Sequence, residues 1–260
     1  MNQANLYGSK RNSRQQIADA FTPTGTDTYA PVPYIKLLDT VEHLLQENGL
    51  VVANEAHQLV KPMKDVRQPN AFGQFFSVLN LANMDDGKGE VGFAVGIRSS
   101  HDMSLAASVC AGSNVFVCSN LCFSAEWIAS RRHTSGVLAD LPVVIDSIIK
   151  QFPEAQESQN RLFDQLRDTT ITERQALWLG YQGVKEKAIN ARDLVPIMEE
   201  FVGDRNKDQH GDNSSLWNLY NAGTEVHKGI QGRNMVTAST RSLDWHSLFN
   251  KAARLGVDSV

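Results

Sequence analysis

The chain is poor in cysteine, with three among 260 residues. An odd and small count gives no disulfide framework and points to a reducing compartment, the cytoplasm. No apolar run approaches the ~20 residues that a membrane span needs. The opening stretch MNQANLYGSKRNSRQQIADA has no apolar core of the kind a secretory signal carries. Positive charge is not in excess either: the formal net charge is −4, unlike a dedicated non-specific DNA coat. Phosphate-binding loops, G-x-G-x-x-G after a strand, H-E-x-x-H, G-x-S-x-G and EF-hand loops are all missing. So are internal repeats and low-complexity tracts. The function classes with short, strong signatures therefore find no support.

What charge there is lies unevenly. Residues 91–135 carry three arginines and two acids, residues 136–210 nine basic and thirteen acidic residues, and residues 211–260 five basic and four acidic. The acidic excess of these segments sits in the middle one, which leaves room for a local basic surface elsewhere.

Residues 1–31 are polar and rich in Gly, Ser, Thr, Asn and Gln, which reads as a flexible arm. Its Lys10, Arg11 and Arg14 would be solvated or would meet nucleic acid. PVPYIKLLDTVEHLLQENG then sets Ile35, Leu38, Val41 and Leu45 at helical spacing, with Pro33 suited to the first turn and Gly49 to the stop. The period changes in LVVANEAHQLV and AFGQFFSVLNLA, rich in β-branched and aromatic residues. EVGFAVGIRSS is the clearest strand: Val91, Phe93, Val95 and Ile97 share one face, Gly92, Ala94, Gly96 and Arg98 the other. MSLAASVCAG, NVFVCSN and LCFSAEWIAS continue as strands, with a turn expected at Gly112-Ser113-Asn114.

Helical spacing returns with Leu138, Leu141, Ile145, Ile148 and Phe152, and Pro153 should end or kink that helix. Leu162, Phe163 and Leu166 mark a second helix. Thr172 and Gln175 stand at capping-box spacing before a third. DLVPIMEEFV is a shorter one, and residues 203–215 a polar loop. SLWNLYNAGTEVHKG and SLDWHSLFNKAARLG read as two last helices joined by the polar linker IQGRNMVTASTR. Segregated strands and helices predict an α+β fold. Its antiparallel β-meander is preceded by one helix and followed by a mostly helical C-terminal half. Beyond the arm, residues 32–260 read as a single domain, strand-rich over 50–130 and helical over 136–255.

Four stretches hold residues that could carry chemistry. Arg98-Ser99-Ser100-His101-Asp102 ends the clearest strand. Asp and Ser bond their own backbone in hairpin turns. Alternatively Arg98, Ser99, Ser100 and His101 form a polar edge, Arg98 taking phosphate through its planar fork and Asp102 orienting His101. Cys118 and Cys122, with His101 and His133, could make a zinc set. The spacing is not that of a knuckle: on one straight strand the two thiols would lie about 13 Å apart, so only a turn at Ser119-Asn120 brings them together. Otherwise such cysteines are small buried hydrophobes. Arg131, Arg132 and His133 leave the last strand beside a helix start, where they could reach phosphate or stay solvated. Trp217, Asn221, Thr224 and Lys228 share one helix face and could contact a base and a phosphate, or could be internal. The carboxylate pairs Asp85-Asp86 and Glu199-Glu200 look like turn or solvated-face pairs.

Together, GIRSSHDMSLA, VFVCSNL, RRHT and SLWNLYNAGTEV resemble the domain-of-unknown-function 932 family of phage- and plasmid-related proteins. The similarity covers residues 96–229 at least. The family often has Asn-Ser-His-Asp-Gly-Ser where this chain has Ser99-Ser100-His101-Asp102-Met103-Ser104, and Met103 is poorly suited to the positive φ that Gly would allow. The resemblance implies a mobile genetic element and the cytoplasm of a host bacterial cell. It implies no activity and no catalytic residue.

Three readings follow. The first is a non-enzymatic DNA-transaction protein, a single-strand DNA binder or annealer, with a homo-oligomer in view because annealers assemble into rings. Its ligand contacts would be Arg98, Ser99, Ser100, His101, Arg131, Arg132, His133, Trp217, Asn221 and Lys228. The second is an inhibitor or decoy of a host defence protein, supported by the acidic middle segment. The third is a metal- or His-dependent enzyme acting on nucleotides or nucleic acid through His101, Asp102, Cys118 and His133. No cofactor is expected under the first reading, and zinc is the metal the third would need.

Overall fold

A computed structural model describes residues 12–63, 67–85, 91–115, 120–203, 214–231 and 235–260. The elements are helices α1 (Arg14–Ala18) and α2 (Tyr34–Glu47), then strands β1 (Val52–Pro62), β2 (Phe72–Asp85), β3 (Val91–Ser100), β4 (Ala107–Val115) and β5 (Asn120–Arg131). Among the described residues, helices α3 (Val137–Ile149), α4 (Phe152–Asp168), α5 (Glu173–Lys185), α6 (Leu194–Val202), α7 (Leu216–Gln231) and α8 (Met235–Leu255) follow, with 3-10 turns at Ala191–Asp193 and Val257–Ser259. The α+β class holds, and so does the meander: the five strands lie in sheet order β1-β2-β3-β4-β5.

The chain divides into two compact units, Met1–Gly112 with Ala125–Ala155, and Ser113–Ser124 with Gln156–Val260. The sequence pattern had suggested a single domain over residues 32–260.

In the first unit β1 pairs with β2 antiparallel, Ala56 opposite Val78, and β2 with β3, Val78 opposite Gly96. Alternation sends Phe75, Leu79, Phe93, Val95, Ile97, Val109 and Ala111 to one sheet face. There they join Leu37, Leu38, Val41 and Leu45 of α2 and Val137, Leu141, Ile145 and Ile149 of α3 in one buried core. Burying each such side chain contributes roughly 1.5–3 kcal/mol. Gly49, with φ +72°, ends α2 as its sequence suggested.

The segment read as a flexible arm is tied to this unit from Asn12 onward. Ser13 and Gln16 cap α1 reciprocally, Ile17 is buried in the core, and Asn12 bridges to His57. Arg14 spans Asp39, Glu42 and Glu55. Three carboxylates hold that guanidinium, so it is committed to the fold and not to phosphate. Lys10 and Arg11 lie outside the described residues.

Three local expectations change. The turn expected at Gly112-Ser113-Asn114 is strand, because β4 runs on to Val115. Phe152 belongs to α4, not α3; the break falls at Lys150-Gln151, and Pro153 sits in the first turn of α4, where its missing N–H costs nothing. The linker expected over residues 230–241 is mostly helix, since α7 continues to Gln231 and α8 begins at Met235.

The second unit is built on helices. Phe163, Trp217, Tyr220, Trp245 and Phe249 form its aromatic centre, all buried. The capping box at Thr172 and Gln175 opens α5 as expected. Among the described residues no helix is long and apolar enough to cross a membrane.

Candidate functional site

The turn after β3 is made by its own polar side chains. Asp102 Oδ1 accepts from the Ser104 N–H at 3.0 Å and from the Ser104 hydroxyl. Ser100 Oγ donates to the Leu105 carbonyl at 3.0 Å and accepts from the Leu105 N–H at 2.8 Å. Met103, 72 % exposed, adopts φ +61°. The turn thus holds a positive φ at a residue that is not glycine.

Ser99, Ser100 and His101 are buried, which corrects the expectation of an exposed ligand edge. Their polar atoms serve the fold. The His101 N–H reaches the Gly73 carbonyl at 2.8 Å and the Tyr34 hydroxyl at 3.0 Å. Its ring Nε2 lies 3.0 Å from the Val32 carbonyl, which can only accept, so Nε2 carries the proton of that bond. Tyr34 lies flat on the imidazole, and the Tyr29 hydroxyl donates to the His101 carbonyl at 3.2 Å. His133 Nε2 is 3.4 Å from Ser99 Oγ, its ring packs 5.7 Å from that of Tyr29, and its carbonyl accepts from the Ala30 N–H at 2.9 Å. Segment 29–34 is therefore latched to the ends of β3 and β5 by two histidines and two tyrosines.

Burial pushes both imidazoles below the ordinary histidine value, more strongly than the carbonyls of Val32 and Ala30 pull them up. Burial likewise raises the Tyr29 and Tyr34 phenols. The cluster is neutral near pH 7. Asp102 spends its carboxylate on Ser104 instead of orienting His101, so no acid–His–nucleophile line forms. Tyr29 and Tyr34 were not singled out from sequence; Tyr34, in the first turn of α2 after Pro33, gave no local signal of its partner 67 residues away.

Arg98 is half-buried on β3, opposite Phe76. Cys110 lies on β4, its Sγ 3.5 Å from the Gly96 carbonyl of β3, and burial pushes its thiol up to about 12. That is an inert thiol. Cys118 and the side chain of Cys122 lie outside the described residues, and so does the zinc set that needs them. Among the described residues, no three His, Cys, Asp or Glu gather as a metal group.

Arg131 and Arg132 are different. Both are exposed at the end of β5. Among the described residues, Arg131 Nη1 donates to the Ser130 carbonyl at 2.9 Å, and neither arginine has a carboxylate partner. The start of α3 beside them is already served by an acid: Asp140 lies in its first turn, with Oδ2 3.3 Å from where a Cβ on Gly136 would stand. The helix end adds little there for a phosphate.

In the second unit Trp217 is 3 % and Asn221 2 % exposed. The Arg167 guanidinium lies 4.7 Å over the Trp217 ring, and Asn221 Nδ2 donates to the Trp217 carbonyl at 2.9 Å. Of the two roles left open by sequence, theirs is the internal one, because α7 is a central helix. Lys228 lies on α7, with its side chain outside the described residues. Sequence reasoning missed an exposed row on α5, Arg174, Trp178, Tyr181 and Lys185; its spacing was the available signal, but aromatics at helical spacing usually mark a core.

A family model, Domain of unknown function (DUF932), matches residues 24–244. No curated protein and no solved structure matches the chain.

Proposed function

The chain belongs to the domain-of-unknown-function 932 family, and on that premise we propose that it is a non-enzymatic binder of single-stranded DNA. It would act as an accessory protein of a phage or plasmid in the cytoplasm of a bacterial host. One observation carries the reading: Arg131 and Arg132 stand exposed at the sheet end without carboxylate partners among the described residues. Arg14 makes the contrast, with its guanidinium spent on three acids. Two guanidinium forks that meet no carboxylate among the described residues, on a chain of net charge −4, fit a local phosphate contact better than a general affinity for polyanions. The neutral, buried state of His101 and His133 argues against histidine chemistry on a substrate. The test is titration of labelled single- and double-stranded DNA over a salt series, with Arg131→Ala/Arg132→Ala beside the wild type.

A further inference from the structure

Helix α5 turns Ala176, Leu179, Gly180, Gln182 and Gly183 inward. Its other side presents Arg174, Trp178, Tyr181 and Lys185, four, three and four residues apart. That spacing puts them in one line along about 16 Å of helix. All four are exposed, Trp178 by 42 % and Tyr181 by 51 %. Two large rings side by side in water mark a contact surface more often than chance exposure.

The row is pre-arranged. The Trp178 indole N–H donates to the main-chain oxygen of Val260 at 3.1 Å, and Gln182 Nε2 donates to the same oxygen at 3.0 Å. The indole is thus oriented and its only donor used, so what it offers a ligand is its π-face. The Tyr181 ring lies 5.8 Å away, tilted by 31°, and Lys185 Nζ is 6.0 Å from the Tyr181 centroid. Neither Arg174 nor Lys185 has an ion-pair partner among the described residues. Of the acids nearby, Asp258 accepts from Gln175 and Glu186 pairs with Lys251, while Glu173, exposed in the first turn of α5, complements the start of the helix.

We infer that the Arg174–Trp178–Tyr181–Lys185 row is a stacking platform for single-stranded nucleic acid, bases lying on the two rings and phosphates meeting the two cations. Base–aromatic stacking tolerates any sequence, and a cation at each end of a ring pair complements a strand that alternates bases with phosphates. A partner helix would instead ask for a continuous aliphatic stripe between the cations, and Leu177, 48 % exposed, is the one exposed aliphatic side chain of α5.

The inference rests on the single-strand reading, and a titration with oligothymidylate separates the two. Trp178→Ala/Tyr181→Ala is expected to weaken binding about tenfold or more while leaving the melting transition cooperative. Trp178→Phe/Tyr181→Phe should keep most of the affinity. Arg174→Ala/Lys185→Ala should flatten the dependence of log affinity on log salt by about 1.4, and it decides the matter if the alanine ring variant fails to fold. Wild-type binding that all three variants retain unchanged overturns the platform and leaves the single-strand reading standing. Absence of wild-type binding at low salt overturns both. A self-association that the ring variant abolishes, with binding untouched, makes the row an interface between copies and also overturns the inference.

Discussion

Tyr34 lies flat against His101, ring centroids 3.9 Å apart and planes within 7°, and its hydroxyl joins two main chains. It donates to the Phe72 carbonyl and accepts from the His101 N–H, each at 3.0 Å. Tyr34→Phe keeps the stack and removes the oxygen. The His101 N–H retains the Gly73 carbonyl, but the Phe72 carbonyl loses this partner. Stability should fall by about 1–2 kcal/mol, read from the urea midpoint at unchanged m-value.

Acid should weaken the fold through its buried histidines. His101 and His133 are held below the ordinary value by burial, and burial alone takes His246 to about 4. A depressed imidazole binds its proton later in the folded than in the unfolded chain. The stability it contributes is therefore fully present above about pH 6.5 and is lost as pH falls toward the folded value. For His246 the loss is about 3 kcal/mol by pH 4. Urea midpoints should drop between pH 6.5 and 4, and His246→Gln should flatten that slope in the same titration.

Gly223 and Trp245 leave no room for a methyl group. A Cβ on Gly223 would stand 2.3 Å from Trp245 Cε2. The ring cannot retreat: on its other side a Cβ on Gly183 would be 2.8 Å from Cζ3, and the indole N–H is bonded to the Tyr220 carbonyl. Gly223→Ala should cost about 3 kcal/mol and lower the thermal midpoint, despite the better helix propensity of alanine.

Met103 is strained where glycine would not be. It is 72 % exposed at φ +61°, so replacing it forfeits little packing. Met103→Gly should raise stability by up to about 1 kcal/mol, relief of the left-handed penalty exceeding the added freedom of the unfolded chain. Differential scanning calorimetry reads the shift.

Much of the fold was legible because local rules carried it. The stripe of α2, the alternation of β3 and the capping box of α5 each need only neighbours in sequence. The anchoring of residues 12–31 was not legible, since Arg14 finds its carboxylates 25 to 41 positions away and Ile17, with Ala18, Ala20 and Phe21, makes a cluster too short to show a period. Residues 235–241 looked like linker because Ser, Thr and Arg are polar, and polarity does not break a helix. At the candidate site, periodicity put Trp217 and Asn221 on one face but could not say what covers that face. The same gap hid α5, where Trp178 and Tyr181 have core-like spacing and lie in solvent. The His101-Asp102 hairpin was readable, since Asp and Ser turn chemistry is local; the burial of His101 beneath Tyr34 was not.

The central claim is best tested by fluorescence anisotropy of labelled single- and double-stranded DNA over a salt series, for the wild type and Arg131→Ala/Arg132→Ala. The account predicts tighter binding of the single strand and a linear fall of log affinity with log salt. The double variant should bind more weakly, with the slope reduced by about 1.4 and an unchanged melt. Absence of salt-sensitive binding to either form, even at low ionic strength, would contradict it.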